Sequence, residues 1–365
     1  MKFLFLEPFF GGSHKDFAEG LCSFSRHEID LMTLPARFWK WRMRGAALYF
    51  ADKISSLKGY QGLITTDLMS LSDFKAQWAG ECPPSLVYFH ENQLTYPLAP
   101  GESMDFQFGF TDITTALAAE RVLFNSRTHF DAFFSSLPGF LRMMPEYRPE
   151  WVVEEIRSRA GILYPGCHFS ARQEEDLFSN DSPLLIIWNH RWEFDKNPAD
   201  FFDALDAVLD RGLDFRLALL GENFQKVPKE FIAARERFKH RIIQYGYVKS
   251  RKEYHEWLKQ GAIVVSTATQ ENFGISVIEA VRHGCMPLLP ERLAYPEIIP
   301  AAFHSDVLYK DQNQLVEKLC HLISNYEQFR EKIEALFNAM TRFAWVNMID
   351  AYDDKLERLA GLAPL

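Results

Sequence analysis

The sequence predicts two doubly wound α/β domains in succession. Three observations carry that reading. Short apolar runs alternate with amphipathic stretches along the whole chain, the pattern of parallel strands joined by crossover helices. At 365 residues the chain is long enough for two such units. A polar, turn-rich segment, CHFSARQEEDLFSNDSP at 167–183, lies between two series of strand and helix patterns. The expected boundaries are 1–175 for the first domain and 176–342 for the second.

In the first series KFLFLEPF, IDLMTL, GLITT, PSLVYFH, RVLFNS and GILYPG read as strands. They are short, apolar and bounded by turn residues, as buried parallel strands are. In the second series LLIIWNH, FRLALLG, RIIQYG, AIVVSTAT and MPLLP repeat the pattern. NPADFFDALDAVLDRG and SRKEYHEWLKQG return apolar residues at helical spacing. The closing stretch RFAWVNMIDAYDDKLERLAG reads as one amphipathic helix or two.

Composition narrows the class. The chain has 47% hydrophobic and 15% aromatic residues, too apolar for disorder. No apolar run reaches the roughly 18 residues needed to span a bilayer. The opening MKFLFLEPFF carries Glu7 and no small-residue cleavage site, so it reads as a first strand rather than a leader. Five scattered cysteines with no CxxC suggest reduced thiols in a cytoplasmic protein. Lys plus Arg number 40 against 49 Asp plus Glu, a net charge of −9. That balance excludes broad, non-specific nucleic-acid binding and leaves room for a local basic patch.

Ligands of open α/β sheets bind at the carboxyl ends of strands, so the strand-exit loops hold the candidates. The first exit, EPFFGGSHKDF, pairs Gly11 and Gly12, which turn the chain sharply. Ser13 is placed to cap the next helix, with His14 and Lys15 in its first turn. A plain tight turn explains the same residues. FHENQLTYP sets His90, Glu91, Asn92 and Gln93 after a buried strand; acceptor contacts and simple turn-making account for them equally well. Ser126, ending VLFNS, reads as a helix N-cap. In WNHRWEFDKNP, Arg191 and Lys196 are the best pair of cations in the chain for a diphosphate.

The strongest signal is TATQENFGISVIEAVRHG. A helix is expected to start near Phe273. Gly274 lets a ligand approach the backbone, and the free N–H groups from Asn272 through Phe273 and Gly274 to Ile275 favour an anion. Glu271 and Glu279, with seven residues between them, then serve sugar hydroxyls and a ribose. With no DxD-like carboxylate pair at a strand exit, no metal and no cofactor are expected.

One stretch is out of character with the acidic chain. ARFWKWRMRG at 36–45 holds Arg37, Lys40, Arg42 and Arg44 among Phe38, Trp39 and Trp41. Aromatics that stack on bases beside cations that meet phosphates suit a nucleic acid. The same residues form an amphipathic helix with Trp41, Ala46 and Leu48 buried and arginines outside. A mixture of the two, with the aromatics partly core, is the expectation.

QENFGISVIEA, the Arg191 and Lys196 pair, VLFNS and the terminal helix with Trp345 together resemble the two-domain GT-B glycosyltransferases of the retaining family-4 type. EPFFGGSHKDF, LPARFWKWRMRGAALYF, YFHENQLTYP and NHRWEFDKNP narrow the resemblance to the tRNA-queuosine mannosyltransferase family. It implies two Rossmann-like domains facing a central cleft, with helix 343–365 packing back on the first. It implies transfer of mannose from GDP-mannose to queuosine in the anticodon of an aspartate tRNA, in the cytoplasm and away from membranes. Glu271, His90 and His14 become the catalytic candidates. Arg191, Lys196, residues 272–275, Glu279 and Gly12 go to the donor. Arg37, Lys40, Trp41, Arg42, Arg44, Glu91 and Asn92 go to the acceptor RNA. Two other readings stay open: a GT-B enzyme with another nucleotide-sugar or a non-RNA acceptor, and a catalytically idle RNA-binding module.

Overall fold

The computed structural model describes residues 1–78, 82–99, 101–169, 183–222 and 227–362. The chain forms two compact units, Met1–His168 with Phe343–Leu365, and Phe169–Arg342. The domain boundary expected at 175/176 and most of the seam around it lie outside the described residues.

Unit 1 is built on six parallel strands in the order β2-β1-β3-β4-β5-β6. These are β1 Lys2–Phe10, β2 Glu28–Pro35, β3 Gly62–Thr66, β4 Ser85–Phe89, β5 Arg121–Phe124 and β6 Ala160–Ile162. Side chains alternate between the two faces. Leu4, Leu6, Val87, Phe89, Val122 and Phe124 enter one core. Phe3, Phe5, Ile64, Leu86, Tyr88 and Leu123 enter the other. The opening apolar run is therefore β1, buried on both sides.

The second core is closed by the end of the chain. One helix, Trp345–Ala360, lays Trp345, Ile349, Tyr352, Leu356 and Leu359 into it. Just ahead of it, Cys167 and Ala344 form an isolated parallel bridge. Asp353 accepts from the Ser25 hydroxyl and the Arg26 backbone N–H, and the Tyr352 hydroxyl donates to the Tyr164 carbonyl at 2.8 Å. At Gly166 a Cβ would lie 2.2 Å from Trp345 Cδ2, so only glycine lets the indole settle there.

Unit 2 repeats the plan with the order β12-β11-β10-β7-β8-β9. Its strands are β7 Leu185–Trp188, β8 Arg216–Leu219, β9 Ile242–Tyr245, β10 Ile263–Val265, β11 Met286–Pro290 and β12 Leu308–Tyr309. All eleven strand readings from the sequence are realised. The two-residue β12 is added, too short to leave an apolar pattern. β7 and β10 are neighbours, and the chain winds away from them in opposite directions. That is the switch point where a parallel sheet opens a crevice for ligands.

Candidate active site

The exits of β7 and β10 in unit 2 carry most of the donor candidates. After β7 a 3-10 turn, Phe194–Lys196, is stitched to the β10 loop. Thr267 Oγ1 lies 2.9 and 2.7 Å from the Lys196 and Asn197 carbonyl oxygens, which share its one proton. The Thr269 N–H donates to the Asp195 carbonyl at 2.7 Å. Lys196 is thereby buried and aimed inward. Its Nζ donates to the Gln270 carbonyl at 2.6 Å and lies 3.4 Å from Glu271 Oε2 and 3.1 Å from Asp195 Oδ2. Arg191 is exposed, with Nη2 3.3 Å from Glu193 Oε2. The structure thus joins Lys196 to Glu271, a pairing the sequence did not announce.

Electrostatics hold both charges. Burial opposes ionisation of Glu271, but Lys196, His190 and Arg191 bring its carboxyl below the ordinary range. Burial likewise opposes the Lys196 cation, and Glu271 and Asp195 more than offset it, so its pKa is raised. A lone buried charge would neutralise; two opposite ones sustain each other.

The helix expected near Phe273 starts two residues later, as Ile275–Arg282. The reason is local. Phe273 is buried, and Gly274 takes a left-handed conformation, φ 101°, at the N-cap, where a β-carbon is disfavoured. The N-cap has no side-chain partner, so the first-turn N–H groups from Ile275 onward are of the kind that bind anions. Asn272 accepts from Gln270 Nε2 at 3.0 Å, which shapes the loop ahead of that turn. Glu279 is buried one turn further in, with Oε2 accepting from the Tyr254 hydroxyl at 3.3 Å. Asn189 and Tyr254, which hold this region together, went unread in the sequence.

In unit 1 the strand exits gather a second polar group. Glu7 at the end of β1 is fully buried. Its carboxylate accepts from the Phe9 N–H at 2.8 Å and the Thr66 hydroxyl at 3.2 Å, and meets His14 Nδ1 at 3.2 Å. His14 is not the exposed histidine of a plain turn. It is buried, with its ring centroid 4.1 Å from that of His90. Burial pulls the His14 pKa down, but the charge and hydrogen bond of Glu7, then Asp67 and Glu91, lift it to about 9. Burial and the His14 and His129 charges keep His90 neutral, its pKa well below the ordinary value. Asp67 accepts the His90 backbone N–H at 2.8 Å, and burial raises its carboxyl to about 7. Glu7, His14 and His90 each offer an atom within 4.8 Å of the others, enough to hold an ion. Glu7 was legible as a carboxylate inside a first strand, though not as the partner of His14.

One expectation changes here, and two others gain local detail. Ser13 does not cap: the helix is Gly12–Phe24 with Gly11 at its N-cap and no side-chain bond. At Gly11 a Cβ would lie 2.4 Å from that of Ala36, just past the end of β2, so that close approach requires glycine at the turn. Asn92 makes the turn. Its Oδ1 accepts from the Leu94 and Thr95 N–H groups, both at 3.0 Å, and it is 1% exposed. Glu91 beside it is partly exposed. Gly12 belongs to unit 1 and is exposed, with open space where a Cβ would stand. Ser126 caps as expected, accepting from the His129 N–H at 2.9 Å.

The basic stretch forms the helix Trp39–Lys53. Met43, Ala46, Ala47 and Phe50 are its buried face. Trp41 and Leu48, offered as core, stand out at 76% and 60% exposure. Phe38 precedes the helix in a left-handed conformation and is exposed too. Trp39 packs against Phe108, ring centroids 5.2 Å apart. The cations divide. Arg42 donates to the Pro35 carbonyl at 3.2 Å, and Arg44 to Gln107 Oε1 at 2.9 Å. Arg37 and Lys40 lie at the surface over the rings of Phe38 and Trp39.

Among the described residues no helix is long and apolar enough to cross a membrane. Residues 2–167 match the family model described as tRNA-queuosine alpha-mannosyltransferase N-terminal, and 170–336 the one described as glycosyl transferases group 1. The chain is 35% identical over 369 residues to the tRNA-queuosine alpha-mannosyltransferase of Drosophila melanogaster, covering 96% of this chain and 95% of that one. A GDP-mannose:cellobiosyl-diphosphopolyprenol alpha-mannosyltransferase of Xanthomonas campestris is 21% identical over 68% of this chain and 61% of its own. Of solved structures, the sucrose-phosphate synthase of Thermosynechococcus elongatus superposes with a TM-score of 0.74 at 13% identity, covering 99% of this chain and 100% of that one. HepE of Anabaena, in complex with UDP and glucose, gives 0.68 at 13% over 98% and 100%. The fold is GT-B, and the protein is a glycosyltransferase. With near-complete coverage by a relative above a third identical, and both halves matched by their family models, the chain belongs to the tRNA-queuosine alpha-mannosyltransferase family.

Proposed function

We propose that this protein moves mannose from GDP-mannose to the queuosine base of a tRNA anticodon, with retention at the sugar carbon. The observation that carries the chemistry is the Lys196–Glu271 pair, set at the switch point beside the free N–H groups that start at Ile275. Family membership carries the choice of substrates.

In this reading Lys196, Arg191 and the helix start hold the donor diphosphate. As the bond from sugar carbon to phosphate oxygen breaks, negative charge grows on the leaving group, and these donors stabilise it without reorganising. No metal takes part. Glu271, ionised by its neighbours, accepts from sugar hydroxyls, and Glu279 accepts from the ribose. A hydroxyl oxygen of the acceptor forms the new bond, and its proton passes to a leaving phosphate oxygen or a nearby base. Of the two candidate histidines, His90 is the proton acceptor because it is neutral; His14 is the cation that orders the site. Glu91 and the exposed set of Arg37, Lys40 and Trp41 contact the RNA. The anticodon loop is single-stranded, where bases can be splayed onto aromatic rings. A soluble RNA acceptor fits a cytoplasmic enzyme.

A donor screen by thermal shift tests this. GDP-mannose and GDP should stabilise the protein, by about 2.7 kcal/mol at a hundred times the dissociation constant. Transfer of mannose to queuosine-containing tRNA is then the decisive assay. Preference for a UDP-sugar would overturn the donor. Absence of any nucleotide-sugar binding would favour the idle module.

A further inference from the structure

The candidate donor site contains a polar chain that its assigned contacts leave unexplained. Asn189 stands immediately after β7 and is buried. Its Nδ2 donates twice: to the Ser276 carbonyl at 2.7 Å, in the first turn of helix Ile275–Arg282, and to the Tyr254 hydroxyl at 3.0 Å. Tyr254 lies on a separate helix, Arg251–Gln260, and its hydroxyl donates to Glu279 Oε2 at 3.3 Å. A phenol has one proton to give. Because Asn189 supplies both of its N–H groups to acceptors, that proton must go to Glu279, and the direction of the chain is fixed. The same hydroxyl stays protonated at any working pH, since burial and the Glu279 charge push its pKa well above the ordinary value.

We propose that Tyr254, held by Asn189, is the positioning residue that orients the Glu279 carboxylate to read the ribose diol of the donor nucleotide. This rests on the assignment of Glu279 to the ribose. The physical case is one of pre-organisation. A glutamate side chain has three rotatable bonds, and ordering it on binding costs affinity. Here its plane is set beforehand by a donor on a rigid helix, and that donor is itself fixed to a strand end. The same Asn189 amide anchors the start of the anion-binding helix, so the ribose contact and the diphosphate contact share one origin.

The experiment compares binding of GDP and 2′,3′-dideoxy-GDP by the full chain and by Tyr254→Phe. The full chain is expected to prefer GDP at least tenfold. Tyr254→Phe is expected to weaken GDP about tenfold while leaving the dideoxy analogue within about twofold of its original affinity. Equal weakening of both ligands would make Tyr254 a residue of the fold alone and overturn the proposal. So would an undiminished preference for GDP in the variant. A full chain that never prefers GDP would instead remove the assignment of Glu279 to the ribose, and the proposal with it. Should Tyr254→Phe melt at assay temperature, Asn189→Ser takes the same measurement, with a narrowed GDP preference expected and an unchanged one overturning the idea.

Discussion

Lys196 and Glu271, separated by 75 positions in the chain, form a buried ion pair with Nζ and Oε2 3.4 Å apart. Each keeps the other charged where burial alone would not. In the proposed reading, removing either partner therefore acts twice, on a ligand contact and on the charge state of what remains. Lys196→Ala should lower kcat by about 10²–10³-fold, the usual loss for a donor to a developing anion. Glu271→Ala should lower it at least about 100-fold, on the same scale, with the fold intact by circular dichroism. Near-normal single-turnover rates in either variant would remove that residue from the chemistry.

The His14–Glu7 pair makes stability depend on pH in a stated direction. The folded value of about 9 stands above the unfolded 6.5. Its contribution is fully present below pH 6.5 and is lost as pH rises from 6.5 to 9. The stability gap between the wild type and His14→Gln should shrink by about 3 kcal/mol across that window. Urea titrations at several pH values measure it. A gap that does not change would mean a neutral His14.

Of the cationic cluster, Arg37 and Lys40 are exposed, while Arg42 and Arg44 bond to groups of unit 1. Replacing Arg37 and Lys40 by Ala should weaken tRNA binding and lower the salt slope by about 1.4, near 0.7 per phosphate on a single strand. Arg42→Ala should act chiefly on melting temperature. Trp41→Ala should cost roughly 1–3 kcal/mol of binding if a base stacks there. An unchanged slope would return the helix to a purely structural role.

In the proposed reading Lys196, Arg191 and backbone N–H groups balance the diphosphate, so a chelator should leave the transfer rate unchanged. The check has force because Glu7, His14 and His90 are compact enough to hold an ion. Inactivation by EDTA, reversed by a divalent metal, would overturn the metal-free reading and point to that trio.

The strands and the loop after β10 were legible because their signals are local. An apolar run before ENFG marks a strand exit whatever the rest of the chain does. What the sequence hid was set by distant partners. The 0% exposure of Glu7 depends on Thr66 and His14, which no periodicity links. Asn92 looked like a ligand contact because a polar residue after a strand serves binding and turn-making with the same atoms. Trp41 looked like core because helical spacing says which residues share a face, not which face is covered. Phe273 was read as the helix start because its burial, which delays the helix to Ile275, follows from packing.

The helix that closes the second core of unit 1 comes from the last stretch of the chain, Trp345–Ala360. Synthesis proceeds from the amino end, so the segment Phe169–Arg342, contiguous in sequence, leaves the ribosome complete before unit 1 can be finished. During that interval Phe5, Phe17 and Tyr88 lack the cover that Trp345 and Tyr352 later provide. The apolar face of a nearly complete sheet is then open to chaperones or to other nascent chains. A ribosome stalled or terminated shortly before Phe343 would release a chain with unit 2 complete and unit 1 left adhesive.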